Sequence, residues 1–143
     1  MATSAKRRAS VLVDTSVSVA VVVGDHEAHE AATRELRNEQ LGLSGHAWFE
    51  TYSVLTRLPP PSRRAPTDIQ RIIEVGFPAS VFLDEDGARA LARELSEHGI
   101  AGGSVYDALV GAAARQHRTP LMTRDRRALS VYRALGVDVV LMD

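Results

Sequence analysis

Residues 120–142 read PLMTRDRRALSVYRALGVDVVLM. PLMT (120–123) is a short apolar run that predicts a buried strand. RRALSVYRAL (126–135) carries a helical pattern closed by Gly136. VDVVLM (137–142) is β-branched and predicts the last strand. A strand, a helix and a strand in this order predict a parallel pair joined by a crossover.

The same alternation holds upstream. SVLVD (10–14) predicts a buried strand ending on an acid, and LGLS (41–44) and SVFL (80–83) predict two further strands. Helices are expected over 25–38, 46–58, 67–75, 86–99 and 104–114. TSVSVAVVV (15–23) is ambiguous: its β-branched content favours a strand, while a helix starting just after Asp14 is equally open. On the 25–38 helix, Ala28, Ala31, Ala32 and Leu36 make the apolar side. On the 46–58 helix, Ala47, Trp48, Thr51, Val54, Leu55 and Leu58 do so. The prolines at 59–61 require a loop. Short apolar strands alternating with helices predict a parallel sheet covered on both faces.

The chain has 143 residues, 45% of them hydrophobic and 24% charged, enough for one domain with a core. Residues 1–9 are expected to be a disordered basic tail and 10–143 a single domain. There is no cysteine, which excludes disulfides and thiolate metal sites and fits a reducing compartment. The basic start and apolar run of 6–23 resemble a signal peptide, but Asp14, Thr15 and Ser16 interrupt the run. No segment approaches a membrane span, so a cytoplasmic protein is expected. The net charge of −1 gives nucleic-acid binding no bulk support, so any phosphate must be held by a metal or by local clusters such as RDRR at 124–127.

Ligands gather at the carboxyl ends of strands in an open parallel sheet. SVLV runs into Asp14, and PLMT runs through Arg124 into Asp125. Asp107 lies in the first turn of the 104–114 helix and shares a line with Val110, Gly111 and Ala114. Glu50 sits in the first turn of its helix, on the shoulder of the apolar face. Each acid also has a purely structural reading: a capping-box partner of Ser104 for Asp107, helix N-caps for Asp125 and Asp14, a rim position for Glu50. Four converging carboxylates would repel one another unless a counter-charge joined them. A hard divalent ion, Mg²⁺ or Mn²⁺, supplies it and does phosphodiester chemistry. Thr15, Ser16 and Thr123 lie beside the acids and are candidates to orient them. His26 and His29 are expected on a solvated helix face, and His46 and His117 as structural residues.

The motifs VLVDTSV, FETYSVLTRL, VYDALVGAAA and PLMTRDRRALSVYRALGVDVV, in that order, resemble the PIN-domain family, and within it the VapC-type toxins of bacterial toxin–antitoxin pairs. The resemblance covers about residues 10–143. It implies a three-layer α/β/α sandwich with a short, mostly parallel sheet. It implies a Mg²⁺- or Mn²⁺-dependent endoribonuclease whose ligands, direct or through water, are Asp14, Glu50, Asp107 and Asp125. Thr15 and Thr123 match the family's flanking hydroxyls. A VapB-like antitoxin and a homodimer are implied as partners, alongside an RNA substrate. Arg124, Arg126 and Arg127 are candidate contacts to RNA phosphates. Two rival readings remain at this point: a catalytically silent RNA- or protein-binding module on the same fold, and a phosphotransfer domain using a strand-end Asp.

Overall fold

The computed structural model describes residues 10–143; the expected basic tail lies outside the described residues. Four strands form one parallel sheet in the order β2-β1-β3-β4: β1 (Ser10–Val13), β2 (Gln40–Leu43), β3 (Leu121–Thr123) and β4 (Val139–Leu141). Helices α1 (Thr15–Val22), α2 (His29–Glu35), α3 (Ala47–Thr56) and α4 (Pro66–Gly76) pack as one group. A second group is α5 (Glu85–Glu97), α6 (Ser104–Gln116) and α7 (Leu129–Ala134). This is the expected α/β/α arrangement. The central strands β1 and β3 are almost wholly buried: Leu12, Val13 and Leu121 are at most 1% exposed. A strand covered on both faces reads as a continuous apolar run, as both do.

The ambiguous 15–22 segment is a helix. Five of its eight residues, Thr15, Val17, Val19, Val21 and Val22, are β-branched, which costs about 0.5 kcal/mol each relative to Ala. Burial of Val17, Ser18 and Ala20 against the core outweighs that preference.

Three sequence expectations are corrected. The helix expected over 25–38 shortens to His29–Glu35, and Ala31 is exposed. The imidazole of His26 explains the late start: its Nδ1 accepts the Ala28 N–H at 3.0 Å, offering the backbone a local alternative to the helix. SVFL is not a strand; Val81 makes a single parallel bridge to Ser44, and Pro78 an antiparallel one to Gly42. Here a side chain replaces one link of the ladder, while Ala79 N–H to Leu41 O, Val81 N–H to Leu43 O and Gly45 N–H to Val81 O remain. Leu43 N–H donates to Ser80 Oγ at 2.9 Å, and Ser80 Oγ donates to Phe77 O at 2.7 Å. Gly42 permits the approach, since a Cβ there would collide with the Ala79 carbonyl. Finally, the 126–135 helix opens as a 3-10 turn over Arg126–Ala128 before becoming α7.

The register brings the acids together. Val13 pairs with Met122, so Asp14 and Thr123, one step on, emerge side by side at the sheet's carboxyl edge.

Candidate active site

Asp14, Glu50, Asp107 and Asp125 line one cleft of about 60 Å³, with Thr15, Ser16, Val110 and Tyr132 completing its wall. The four predicted acids come from four elements: the end of β1, α3, α6 and the loop after β3. Thr123 lies beneath the cleft, fully buried.

Asp14 is the hub. It is only 5% exposed, and three hydroxyls hold its carboxylate. Ser16 Oγ donates to Oδ1 at 2.5 Å; Thr123 Oγ1 and Tyr132 OH donate to Oδ2 at 2.5 and 2.9 Å. A carboxylate oxygen has two lone pairs. Oδ2 is therefore filled, while Oδ1 keeps one acceptor position free of these donors. Burial pushes the Asp14 carboxyl up, and the three hydroxyls and the Val17 backbone N–H oppose that shift. The hydroxyls are ordered in turn: Ser16 Oγ accepts from Arg124 N–H at 2.8 Å, and Thr123 Oγ1 from Asp125 N–H at 3.0 Å. With both protons given to Asp14, the 3.4 Å contact between Ser16 Oγ and Thr123 Oγ1 has no proton to share. Three donated hydrogen bonds draw charge from the carboxylate and weaken it as a nucleophile, which speaks against the phosphotransfer reading.

Glu50 is held from two sides. Thr15 Oγ1 donates to its Oε2 at 3.1 Å, and His46 Nε2 lies 3.5 Å from its Oε1. His46 stacks on Tyr106 with ring centroids 5.0 Å apart. Asp125 does cap its turn, as its structural reading required, with Oδ1 accepting from Arg127 N–H at 3.0 Å, yet it also lines the cleft. Asp107 is not a capping-box partner: α6 starts after Gly103, and no side chain caps it. Its line-mates Val110, Gly111 and Ala114 are buried. Asp107 itself is half-buried, and its carboxyl is pushed up to about 6. Desolvation is the main cause, followed by the charges of Asp125, Glu50 and Asp14; Arg127 opposes them.

Of the flanking arginines, Arg124 and Arg127 line a groove beside the cleft, whereas Arg126 is exposed and lines neither. His29 is more engaged than a solvated face requires, with Nδ1 2.9 Å from Ala20 O. His117, expected as a structural residue, has Nε2 2.9 Å from Phe82 O.

Tyr132 is the site residue that sequence reasoning did not assign. Its signal was the YRALGV run, whose tyrosine falls one helical turn before the closing glycine. Gly111 places it: a Cβ there would meet Tyr132 Cδ1 at 2.9 Å and Val137 Cγ2 at 3.2 Å, so only glycine lets α6 and α7 close up. Burial, with the Asp14 charge beside it, pushes the Tyr132 phenol up and keeps it a donor. Tyr132→Phe is expected to lower unfolding stability by about 1.5–3 kcal/mol, the range for a hydrogen bond to a charged group. Thermal or denaturant unfolding checks this. An unchanged stability would mean that Asp14 does not depend on the phenol.

All the cleft donors are hard oxygens, the type that Mg²⁺ and Mn²⁺ take. Among the described residues, however, no three His, Cys, Asp or Glu side chains stand in ligating geometry around one point. The cleft has room for one such ion with water beside it, since about 10–15 Å³ of such space admits a water. The residues thus fit a hydrated ion held partly through water, with Asp14, Glu50, Asp107 and Asp125 as the side chains that would hold it.

The family model for the PIN domain matches residues 11–134. Ribonuclease VapC27 of Mycobacterium tuberculosis (strain ATCC 25618 / H37Rv) is 46% identical over 128 residues, covering 90% of this chain and 93% of the relative. Among solved structures, Mycobacterium tuberculosis VapC20, described as a sarcin-ricin loop cleaving toxin, superposes with a TM-score of 0.66. It is 21% identical and covers 89% of this chain and 95% of that one. VapBC2 from Rickettsia felis, bound to a promoter DNA fragment, gives a TM-score of 0.67 at 14% identity, covering 94% and 99%. At these identities the two structures speak for the fold alone.

Proposed function

The chain belongs to the PIN-domain family, and on that premise we propose that it is a metal-dependent endoribonuclease, the toxin of a toxin–antitoxin pair. The observation that carries this reading is the gathering of Asp14, Glu50, Asp107 and Asp125 around one cleft at the carboxyl edge of the sheet. The 46% identity to a protein named ribonuclease supports it.

When bound, Mg²⁺ or Mn²⁺ supplies a water of lowered pKa and positive charge for the phosphate. The chain's own residues do the rest. Ser16, Thr123 and Tyr132 fix the Asp14 carboxylate in the wall of the cleft. Thr15 and His46 hold Glu50 at the rim, where it orients water entering the cleft. Asp107 completes the anionic wall. Arg124, Arg126 and Arg127 are the proposed contacts to RNA phosphates. No residue in the cleft is placed as a covalent nucleophile, consistent with direct in-line hydrolysis.

The same reading includes a cognate VapB-like antitoxin, a homodimer and a cytoplasmic location. An antitoxin that brings a basic side chain to this acidic cleft would block it by charge complementarity. No helix among the described residues is long and apolar enough to cross a membrane.

The test is incubation of the purified protein with cellular RNA in Mg²⁺ or Mn²⁺, with and without EDTA. Discrete cleavage that the chelator abolishes is the expected result. Cleavage indifferent to EDTA would sink the metal role, and RNA left whole in either metal would favour the silent binding module.

A further inference from the structure

The acidic cleft adjoins a second groove. Its volume is about 430 Å³, it shares Thr15, Ser16 and Asp125 with the cleft, and its outer wall carries His26, Arg124 and Arg127. We infer that this groove is a phosphate subsite, built by His26, Arg124 and Arg127, that takes the RNA backbone phosphate next to the scissile one. The inference rests on the ribonuclease reading and deepens it: it adds a histidine and gives two of the arginines a shared place.

Arg124 carries the argument furthest. Its Nε is buried and has no hydrogen-bond partner among the described residues. A guanidinium donor taken out of water and left unmet is costly, so no contact among the described residues accounts for where this head is held; the residue lines the groove, where its charge favours an anionic acceptor. Its backbone is already fixed at the seam between the two cavities, because Arg124 N–H donates to Ser16 Oγ at 2.8 Å. The groove therefore continues from the hydroxyl that holds Asp14.

His26 and Arg127 complete a donor set. The Nδ1 of His26 accepts the Ala28 N–H at 3.0 Å, so the neutral ring carries its proton on Nε2, as a donor. Arg127 is held by little: its side chain is 95% exposed and its Nε lies 3.6 Å from Asp125 Oδ1. Two guanidiniums and an imidazole N–H beside a cluster of carboxylates make a steep change of sign between two adjoining cavities. A polyanion engaging a cation in the acidic part places its neighbouring phosphate in the basic part.

The test is equilibrium binding of a short single-stranded RNA in EDTA, where no metal-dependent cleavage occurs, across a salt series. The proteins are wild type, Arg124→Gln with Arg127→Gln, His26→Gln, Arg124→Lys, and Arg133→Gln as an exposed charge control. The double variant is expected to bind at least several-fold more weakly, and His26→Gln to weaken binding by a smaller factor. For the double variant the slope of log K against log salt should fall by about 0.7, the value for one phosphate on a single strand. Arg124→Lys should keep the slope and lose part of the affinity, because the charge stays while the fork goes; its wild-type slope also shows that the site still folds. Arg133→Gln should match wild type. A double variant with wild-type affinity and slope overturns the subsite, as does an equal effect from Arg133→Gln. Loss of a protein partner by the double variant, with RNA binding intact, overturns it too and assigns the groove to that partner. A wild-type protein that neither binds nor cleaves RNA overturns the ribonuclease reading itself, a result distinct from the others.

Discussion

Asp14→Asn is expected to lower RNA cleavage by about 10²–10³-fold, the range for removing one preorganised electrostatic group, while the protein stays folded. The two side chains have the same shape, so the outcome depends on where the amide nitrogen settles. At the Oδ2 position it would face two donors, Thr123 Oγ1 and Tyr132 OH. At the Oδ1 position it faces Ser16 Oγ, whose proton can turn away. The second arrangement wins, and it points an N–H into the cleft where an acceptor is needed. Stability changes little: a buried charge whose desolvation pushes its carboxyl up is removed, along with hydrogen bonds made to that charge. Asp14→Ala is different. It strips the acceptor from three ordered hydroxyls, and each buried donor left unmet costs about 1–3 kcal/mol, so this variant should melt far below wild type. Cleavage rates and thermal unfolding of the pair separate the chemical role from the structural one. An Asp14→Asn protein as active as wild type would remove Asp14 from the chemistry.

The contrast between those two variants also shows what a sequence carries. Asp14 and Asp125 were legible because each comes just after an apolar strand, and parallel strands release the chain at one common edge of the sheet. Asp107 was legible from helical phase, a carboxylate on a line whose other members are buried. The scaffold around Asp14 was not. Ser16 could be named only as a neighbour, and Tyr132 reaches Asp14 only because Gly111 lets α6 and α7 approach, a fact of packing between distant segments. The errors share a cause. SVFL has the composition of a strand, but the side chain of Ser80 takes the β2 hydrogen bond that a strand's backbone would take. DHEAHE has helical periodicity, but a ring nitrogen competes for the first backbone N–H. Local polar side chains overrule pattern where they can satisfy the backbone more cheaply. The helical state of 15–22 was open for the opposite reason: burial, which no local preference encodes, decided it.

Asp107→Asn should make the metal-free protein more stable and the enzyme inactive. The carboxyl of Asp107 is pushed up to about 6 from 3.8, by desolvation first and then by Asp125, Glu50 and Asp14. A folded-state pKa above the unfolded value means that the native protein holds the proton more tightly. The stabilising contribution is therefore fully present below pH 3.8 and is lost as pH rises through 6, where the site must carry another negative charge. A shift of this size corresponds to about 3 kcal/mol at 1.36 kcal/mol per unit; half-exposure and screening reduce it to ~1–1.5 kcal/mol. Asparagine never acquires the charge. In chelator-treated samples the variant should melt about 3–6 °C above wild type at neutral pH, and the gap should close towards acid pH. Millimolar Mn²⁺ should close it from the other side, raising wild type by neutralising the carboxylates and raising the variant less. Differential scanning fluorimetry over pH, with and without the ion, measures all three trends. A variant that melts at or below wild type at neutral pH would show that the four carboxylates do not strain one another. The demand for a cation in this cleft would then lose its physical basis. A stabilised but silent variant would show instead that the protein gives up stability at Asp107 to keep a place where a divalent ion is needed.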